Sequence, residues 1–175
     1  MDIEFQRIYN LIKNDVIRLA YAYTKNLPDS EDITQEVFIK LYENMNKFIN
    51  ETDENVKKWC IKVTVNKCKN LYVSSWKKKT RLFFEFNGNK LSNNHQINED
   101  LNDYLFRLPD KYRIVLVLYF YEGYKIQEIA TILSKKESTV KQQLKRGKEQ
   151  LEKLLKEEEV GGQAVLGRQI PTTTP

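Results

Sequence analysis

Residues 139–148, TVKQQLKRGK, carry Thr139, Gln142, Gln143 and Arg146 at i, i+3, i+4 and i+7, with Lys141, Lys145 and Lys148 alongside. On a helix that spacing puts the first four on one face. Their chemistry is hydrogen bonding rather than bond making. A guanidinium matches the acceptor edge of guanine, a carboxamide matches adenine, and ammonium groups neutralise phosphates. Val140, Leu144, Leu151 and Leu154 recur on the opposite side, so the same helix has an inner face to bury. Upstream, Ile126, Ile129, Ala130 and Leu133 mark a short helix, with a polar turn between the two. Residues 124–155 therefore have the layout of a helix-turn-helix whose second helix suits a major groove, a generic two-helix hairpin being the plainer alternative.

Other chemistries lack their residues. Cys60 and Cys68 stand eight apart with no second pair, and the single histidine, His95, lies in a polar stretch, so no zinc spacing exists. Both cysteines read as buried free thiols in a reducing compartment. There is no GxSxG elbow, P-loop or HExxH, so the expectation is no catalysis, no metal and no cofactor. The longest apolar run, Ile114–Tyr121, is far short of the roughly 20 residues of a membrane span. The N-terminus is broken by charges and does not read as a secretory signal. A cytoplasmic protein without membrane insertion is expected.

The net charge of +5 is unevenly spread. Lys57–Arg81 holds nine basic residues and no acid, and Lys135–Lys148 six basic residues against one acid, whereas Asp29–Glu54 holds eight acids against two lysines. Single basic clusters are often solvated helix faces. Here there are two, interleaved with Trp59, Tyr72, Trp76 and several amides, which points to nucleic acid.

Positioning these residues is the task of an all-α chain, since glycine is scarce and apolar residues recur at three and four almost throughout. One helix is expected over residues 5–24, ending near KNLPDS, where Asp29 or Ser30 can cap a second over 31–47 on the stripe Ile33, Val37, Leu41, Met45. A third over 54–77 has Trp59, Val63, Asn66, Asn70 and Val73 along one side. Periodicity fails from Lys77 to Asn98, which reads as a flexible linker carrying an apolar knot of Leu82, Phe83, Phe84 and Phe86. Four further helices are expected over 100–107, 110–122, 126–133 and 137–155, Pro109 and Gly123 bracketing the second. The expected units are two small helical domains, 1–76 and 99–156, separated by linker 77–98, with 157–175 a disordered tail or cloning remnant.

DSEDITQEVFIKLYENMNKF, VKKWCIKVTVNKCKNLYVSSWKKK and LPDKYRIVLVLYFYEGYKIQEIATILSKKESTVKQQLKRGKEQL together resemble the two domains of a sigma-70-family factor of the small extracytoplasmic-function (ECF) kind, over roughly residues 8–155. The resemblance implies an initiation factor that binds core RNA polymerase and directs it to promoter DNA. It implies that Asp29, Asp32, Gln35, Glu36 and Phe38 dock on the clamp coiled coil of the largest polymerase subunit. Spacing independently projects Asp32, Gln35, Glu36, Ile39 and Glu43 away from the core stripe. By the same resemblance Lys62, Asn66, Lys67 and Lys69 meet the minus-10 element, Asn66 at an extruded base, while Trp59 anchors the core. Thr139, Lys141, Gln142, Gln143, Lys145 and Arg146 meet the minus-35 element.

Departures from the pattern occur. Asn70 stands where many relatives have Asp, and Gln142-Gln143 where Ser-Arg is common. Lys125 and Lys136 replace the usual Ser or Thr caps, so weaker helix starts are expected. An anti-sigma factor is a partner the family admits. The alternative is a stand-alone helix-turn-helix regulator that needs no polymerase. A polymerase-binding protein without DNA recognition fits the basic run poorly. The acids of DSEDITQEVF favour the sigma reading, because they would repel phosphates yet can steer toward a basic protein surface.

Overall fold

The computed structural model describes residues 2–77 and 99–166, with side chains for 2–71 and 103–157. Among them are seven α-helices: α1 Asp2–Thr24, α2 Leu27–Glu43, α3 Asp53–Lys77, α4 Glu99–Arg107, α5 Asp110–Leu116, α6 Ile126–Leu133 and α7 Glu137–Leu166. A 3₁₀ turn, Met45–Phe48, follows α2, and α5 runs on into a π turn, Val117–Tyr121. The expected linker, its Leu82–Phe86 knot and His95 lie outside the described residues.

Helix α1 buries Ile8, Ile12, Val16, Leu19, Ala20 and Tyr23, the stripe its spacing dictates. The cap of α2 differs from expectation. Asn26, not Asp29 or Ser30, sits at the N-cap, its side-chain oxygen accepting from Asp29 N–H at 3.0 Å. Pro28 falls inside the first turn, where its missing N–H costs nothing. Ser30 is buried instead, its hydroxyl donating to the Asn26 carbonyl at 2.5 Å.

The side of α3 that carries Asn66 and Asn70 is not its inner face. Val56, Cys60, Ile61, Thr64, Val65 and Cys68 are buried, whereas Asn66 and Asn70 face solvent. Thr64 fits an apolar interior because its hydroxyl donates to the Cys60 carbonyl at 2.8 Å. The cysteines are buried thiols, with pKa values pushed up to about 12 by desolvation. Trp59 is half-buried and packs edge-on against Phe48, ring centroids 5.1 Å apart, as a core anchor.

In the second half, α5 buries Ile114, Val115 and Leu116, and Gly123 at φ +73° ends the π turn, a conformation glycine adopts without strain. Tyr124 N–H then reaches back to the Leu118 carbonyl at 3.0 Å. Helix α7 continues to Leu166, well past the expected end at 155, so Gly161 and Gly162 do not stop it; residues 167–175 lie outside the described ones.

The two halves also pack together. Their buried residues form one continuous apolar cluster, with α5 and the π turn against α1 and α6 against α3.

Candidate nucleic-acid interface

The turn between α6 and α7 is built by backbone closure. Ser134 adopts the left-handed conformation at φ 55°, and Lys135 N–H donates to the Ala130 carbonyl at 2.8 Å, satisfying carbonyls that the end of α6 would leave unpaired. At the other end, Lys125 offers no side-chain acceptor, as its chemistry predicts. Glu128 folds back instead, its carboxylate accepting from Lys125 N–H at 2.9 Å, so the first turn of α6 is closed from within.

Helix α7 turns Val140 and Leu144 inward, with Leu151 and Leu154 half-buried. Gly147 lets it approach α5 closely: a Cβ there would lie 3.2 Å from Leu116 Cδ1 and 3.3 Å from Tyr112 Cβ. Lys141, Gln142, Lys145 and Arg146 are exposed, and Thr139 and Gln143 are half-buried at the edge of the same face. The Arg146 guanidinium beside the Tyr112 hydroxyl holds its pKa below the ordinary value. Lys148 lies over the Phe120 ring, 4.9 Å from its centroid. The six residues predicted to read DNA therefore lie together on one side of one rigid helix.

The residues expected at a melted strand are less uniformly available. Lys62 and Asn66 are exposed on α3. Lys69 Nζ donates to the Leu133 carbonyl of α6 at 3.2 Å, and Lys67 pairs with Glu36 of α2. Further up the basic run, Lys57 pairs with Asp15 at 2.6 Å, and Lys58 with Glu54 and Glu128 at 2.8 and 2.7 Å. Among the described residues of this run, Lys57, Lys58 and Lys67 are thus neutralised from within, which a linear charge count does not reveal.

On α2, Asp29, Asp32, Gln35 and Glu36 are exposed, as are Ile39, Tyr42 and Glu43. Phe38 is the exception, correcting the expectation that it faces a partner. It is 4% exposed and packs on Tyr9, ring centroids 4.6 Å apart, so it holds the helix that presents the acids.

Two groups absent from the sequence reading join the halves. Arg113 is fully buried; its Nε donates to the Ala22 carbonyl at the end of α1 at 2.6 Å, Nη1 to the Leu108 carbonyl at 2.8 Å and Nη2 to Asp110 at 2.5 Å. A cation there also opposes the negative end of the α1 dipole. Glu122, its side chain 0% exposed, meets Arg18 Nε at 2.9 Å and Lys57 Nζ at 3.3 Å, and Asp15 completes the cluster through Arg18 at 2.5 Å. The Lys57 contact is electrostatic rather than aligned, since Glu122 Oε2 has no hydrogen bond. Burial pushes the Glu122 carboxyl above the usual range despite Arg18 and Lys57. Both residues had a sequence signal. Arg113 interrupts the apolar run YRIVLVLYF, and an acid at the end of a helix opposes its dipole unless cations of another element face it.

Residues 8–78 match the family described as Sigma-70 region 2, and residues 99–151 match Sigma-70, region 4. The chain is 33% identical over 137 residues to the RNA polymerase sigma factor SigV of Bacillus subtilis (strain 168), covering 77% of this chain and 80% of that protein. It is 30% identical over 154 residues to the ECF RNA polymerase sigma factor SigM of the same organism, covering 84% and 92%. Among solved structures, the sigma factor RpoE in complex with the anti-sigma factor NepR from Bartonella quintana shares the fold, with a TM-score of 0.69, 20% identity and coverage of 87% of this chain and 97% of that one.

Proposed function

This chain belongs to the sigma-70 family, in its ECF branch, and from that premise we infer how its surfaces divide the work. It is an alternative sigma factor, which binds core RNA polymerase and directs promoter-specific transcription initiation. We assign the exposed Asp29, Asp32, Gln35 and Glu36 to the polymerase clamp, with Phe38 holding them from behind. Lys62, Asn66, Lys67 and Lys69 go to the minus-10 strand, and Thr139, Lys141, Gln142, Gln143, Lys145 and Arg146 to the minus-35 duplex. Residues 1–76 and 99–156 are the two working units. The reading gives the chain no catalytic residue and places its work in the cytoplasm, with the polymerase. An anti-sigma factor, the kind of partner bound in the RpoE structure, is a proposal of the same kind.

The observation that carries the assignment is an exposed acidic helix on one half and an exposed amide- and guanidinium-bearing helix on the other. A stand-alone DNA-binding regulator has no use for the first. Run-off transcription with purified core polymerase is the test. Promoter-dependent product and co-purification with core enzyme are expected, and absence of both sinks the reading.

The packed arrangement adds a mechanical step. The two elements lie about 25 base pairs apart, or about 85 Å along B-form DNA. Lys69 and Leu133 touch across the halves at 3.2 Å, so one packed unit cannot read both elements. The 21 residues from 78 to 98 can span about 70 Å when extended. Promoter engagement therefore requires the halves to part.

A further inference from the structure

Lys135, in the turn before α7, touches the proposed reading face through one residue: its Nζ donates to Gln143 Oε1 at 3.0 Å. An ammonium has donors only, so of the two ends of the carboxamide only the oxygen can face it. The orientation of Gln143 is thus dictated by chemistry. The backbone of Lys135 is itself held, through its N–H to the Ala130 carbonyl at 2.8 Å. Its side chain is partly buried, and both that burial and the like charges of Lys69 and Lys111 lower its pKa. A neutral amide oxygen eases such a cation where a third ammonium could not.

A glutamine reads adenine with both ends, its oxygen accepting from N6 and its nitrogen donating to N7. With the Lys135 ammonium on that oxygen, its second lone pair could reach adenine N6 only by setting one donor against another beside a cation, so the end of Gln143 presented to DNA is its NH₂, which has two donors and meets two acceptors, N7 and O6, on guanine but one on adenine. We propose that Lys135 is a positioning residue that turns Gln143 into a donor-only reader, so that this sigma factor prefers guanine over adenine at the minus-35 base pair Gln143 meets. The inference rests on the assignment of α7 to the minus-35 element.

The test is run-off transcription by the holoenzyme on a promoter set carrying all four base pairs at each minus-35 position, scored as ratios between bases. Q143A identifies the position by flattening its preference. K135M, which keeps the length of the side chain without its donors, is expected to shift the guanine-to-adenine ratio at that position about tenfold toward adenine, whereas K135R keeps the parent ratio. Loss of transcription by K135M equally on all promoters, or K135R behaving as K135M, overturns the proposal, since a phosphate contact or a packing role would do that. If Q143A flattens no position, Gln143 reads no base and the assignment of that residue falls together with the inference. If Q143A flattens one and K135M moves none, the inference falls alone.

Discussion

Replacing Arg18 with methionine isolates the ion cluster between the halves. In the packed chain Glu122 has no solvent access, and Arg18 supplies its one aligned hydrogen bond, at 2.9 Å. Arg18→Met leaves that carboxylate facing Lys57 alone, at 3.3 Å and already shared with Asp15. Breaking a buried pair from one side costs about 3 kcal/mol or more, because the remaining charge is uncompensated. That is roughly a hundredfold shift toward parted halves. Glu122→Gln should behave differently. The Glu122 carboxyl titrates above its ordinary value, so ionising it within the packed chain already costs more than its cations return, and a neutral isostere should change docking by less than about 1 kcal/mol. The double variant R18M/E122Q should therefore recover most of what R18M loses. Docking can be followed by energy transfer between dyes on cysteines introduced at Ile49, which is 76% exposed, and at the exposed Glu149, across a mild urea series. Cys60 and Cys68, buried with pKa values pushed up to about 12, will not compete for the label. Because the packed state holds the Glu122 proton more tightly than the parted one, its contribution favours docking at low pH and is lost as pH rises through the raised pKa. Acidification should then partly rescue R18M. Glu128 acts with the opposite sign: Lys58 and the Lys125 N–H hold it below the ordinary value, so its contribution is lost as pH falls through that lowered pKa. Equal losses in R18M and R18M/E122Q, or no loss in R18M, would refute the reasoning.

D32K/E36K should abolish capture by core polymerase while circular dichroism stays unchanged, since both residues are exposed; undiminished affinity would remove the clamp assignment. Arg146→Ala should lower transcription from the preferred minus-35 element by the equivalent of about 1–3 kcal/mol and relax choice at one base pair. A uniform fall across promoters would instead mark Arg146 as a phosphate contact. Gly147→Ala gains about 1 kcal/mol of helix propensity, yet its methyl would press on Leu116 and Tyr112, both buried, at 3.2 and 3.3 Å. Overpacking costs about 1–3 kcal/mol, so urea unfolding should show a net loss of roughly 1 kcal/mol, and a more stable variant would show that α5 can give way.

Legibility from the sequence followed the physics of each segment. Helix α1 and the α6–α7 pair were readable because their stripes, Ile8–Ile12–Val16 and Val140–Leu144, alternate cleanly with charge. The inner face of α3 is poorly marked in the sequence because Cys60, Thr64 and Cys68, residues whose hydrophobicity depends on surroundings, share it with Val56, Ile61 and Val65, while the larger Trp59 and Val63 only flank it. Asn26 was overlooked as a cap because Pro28 reads as a break, although proline is at home in a first turn. Phe38 looked like a contact because it belongs to the acidic motif, but it follows Val37 on the buried side. The pairing of Glu122 with Arg18, or of Lys69 with Leu133, joins residues 104 and 64 positions apart. Local periodicity carries no record of such contacts.

The fully buried Arg113 has a consequence for solvent. It bridges the halves through the Ala22 carbonyl, and no water reaches its side chain. When the halves part, that guanidinium donor, that carbonyl and the apolar surfaces around them must all be hydrated at once. Parting is therefore an uptake of water as well as a breaking of charges. Excluded osmolytes, which favour burial of surface, should hold the chain closed even where salt loosens its ion pairs. The two solution variables that rise together in an osmotically stressed cell thus pull this protein in opposite directions.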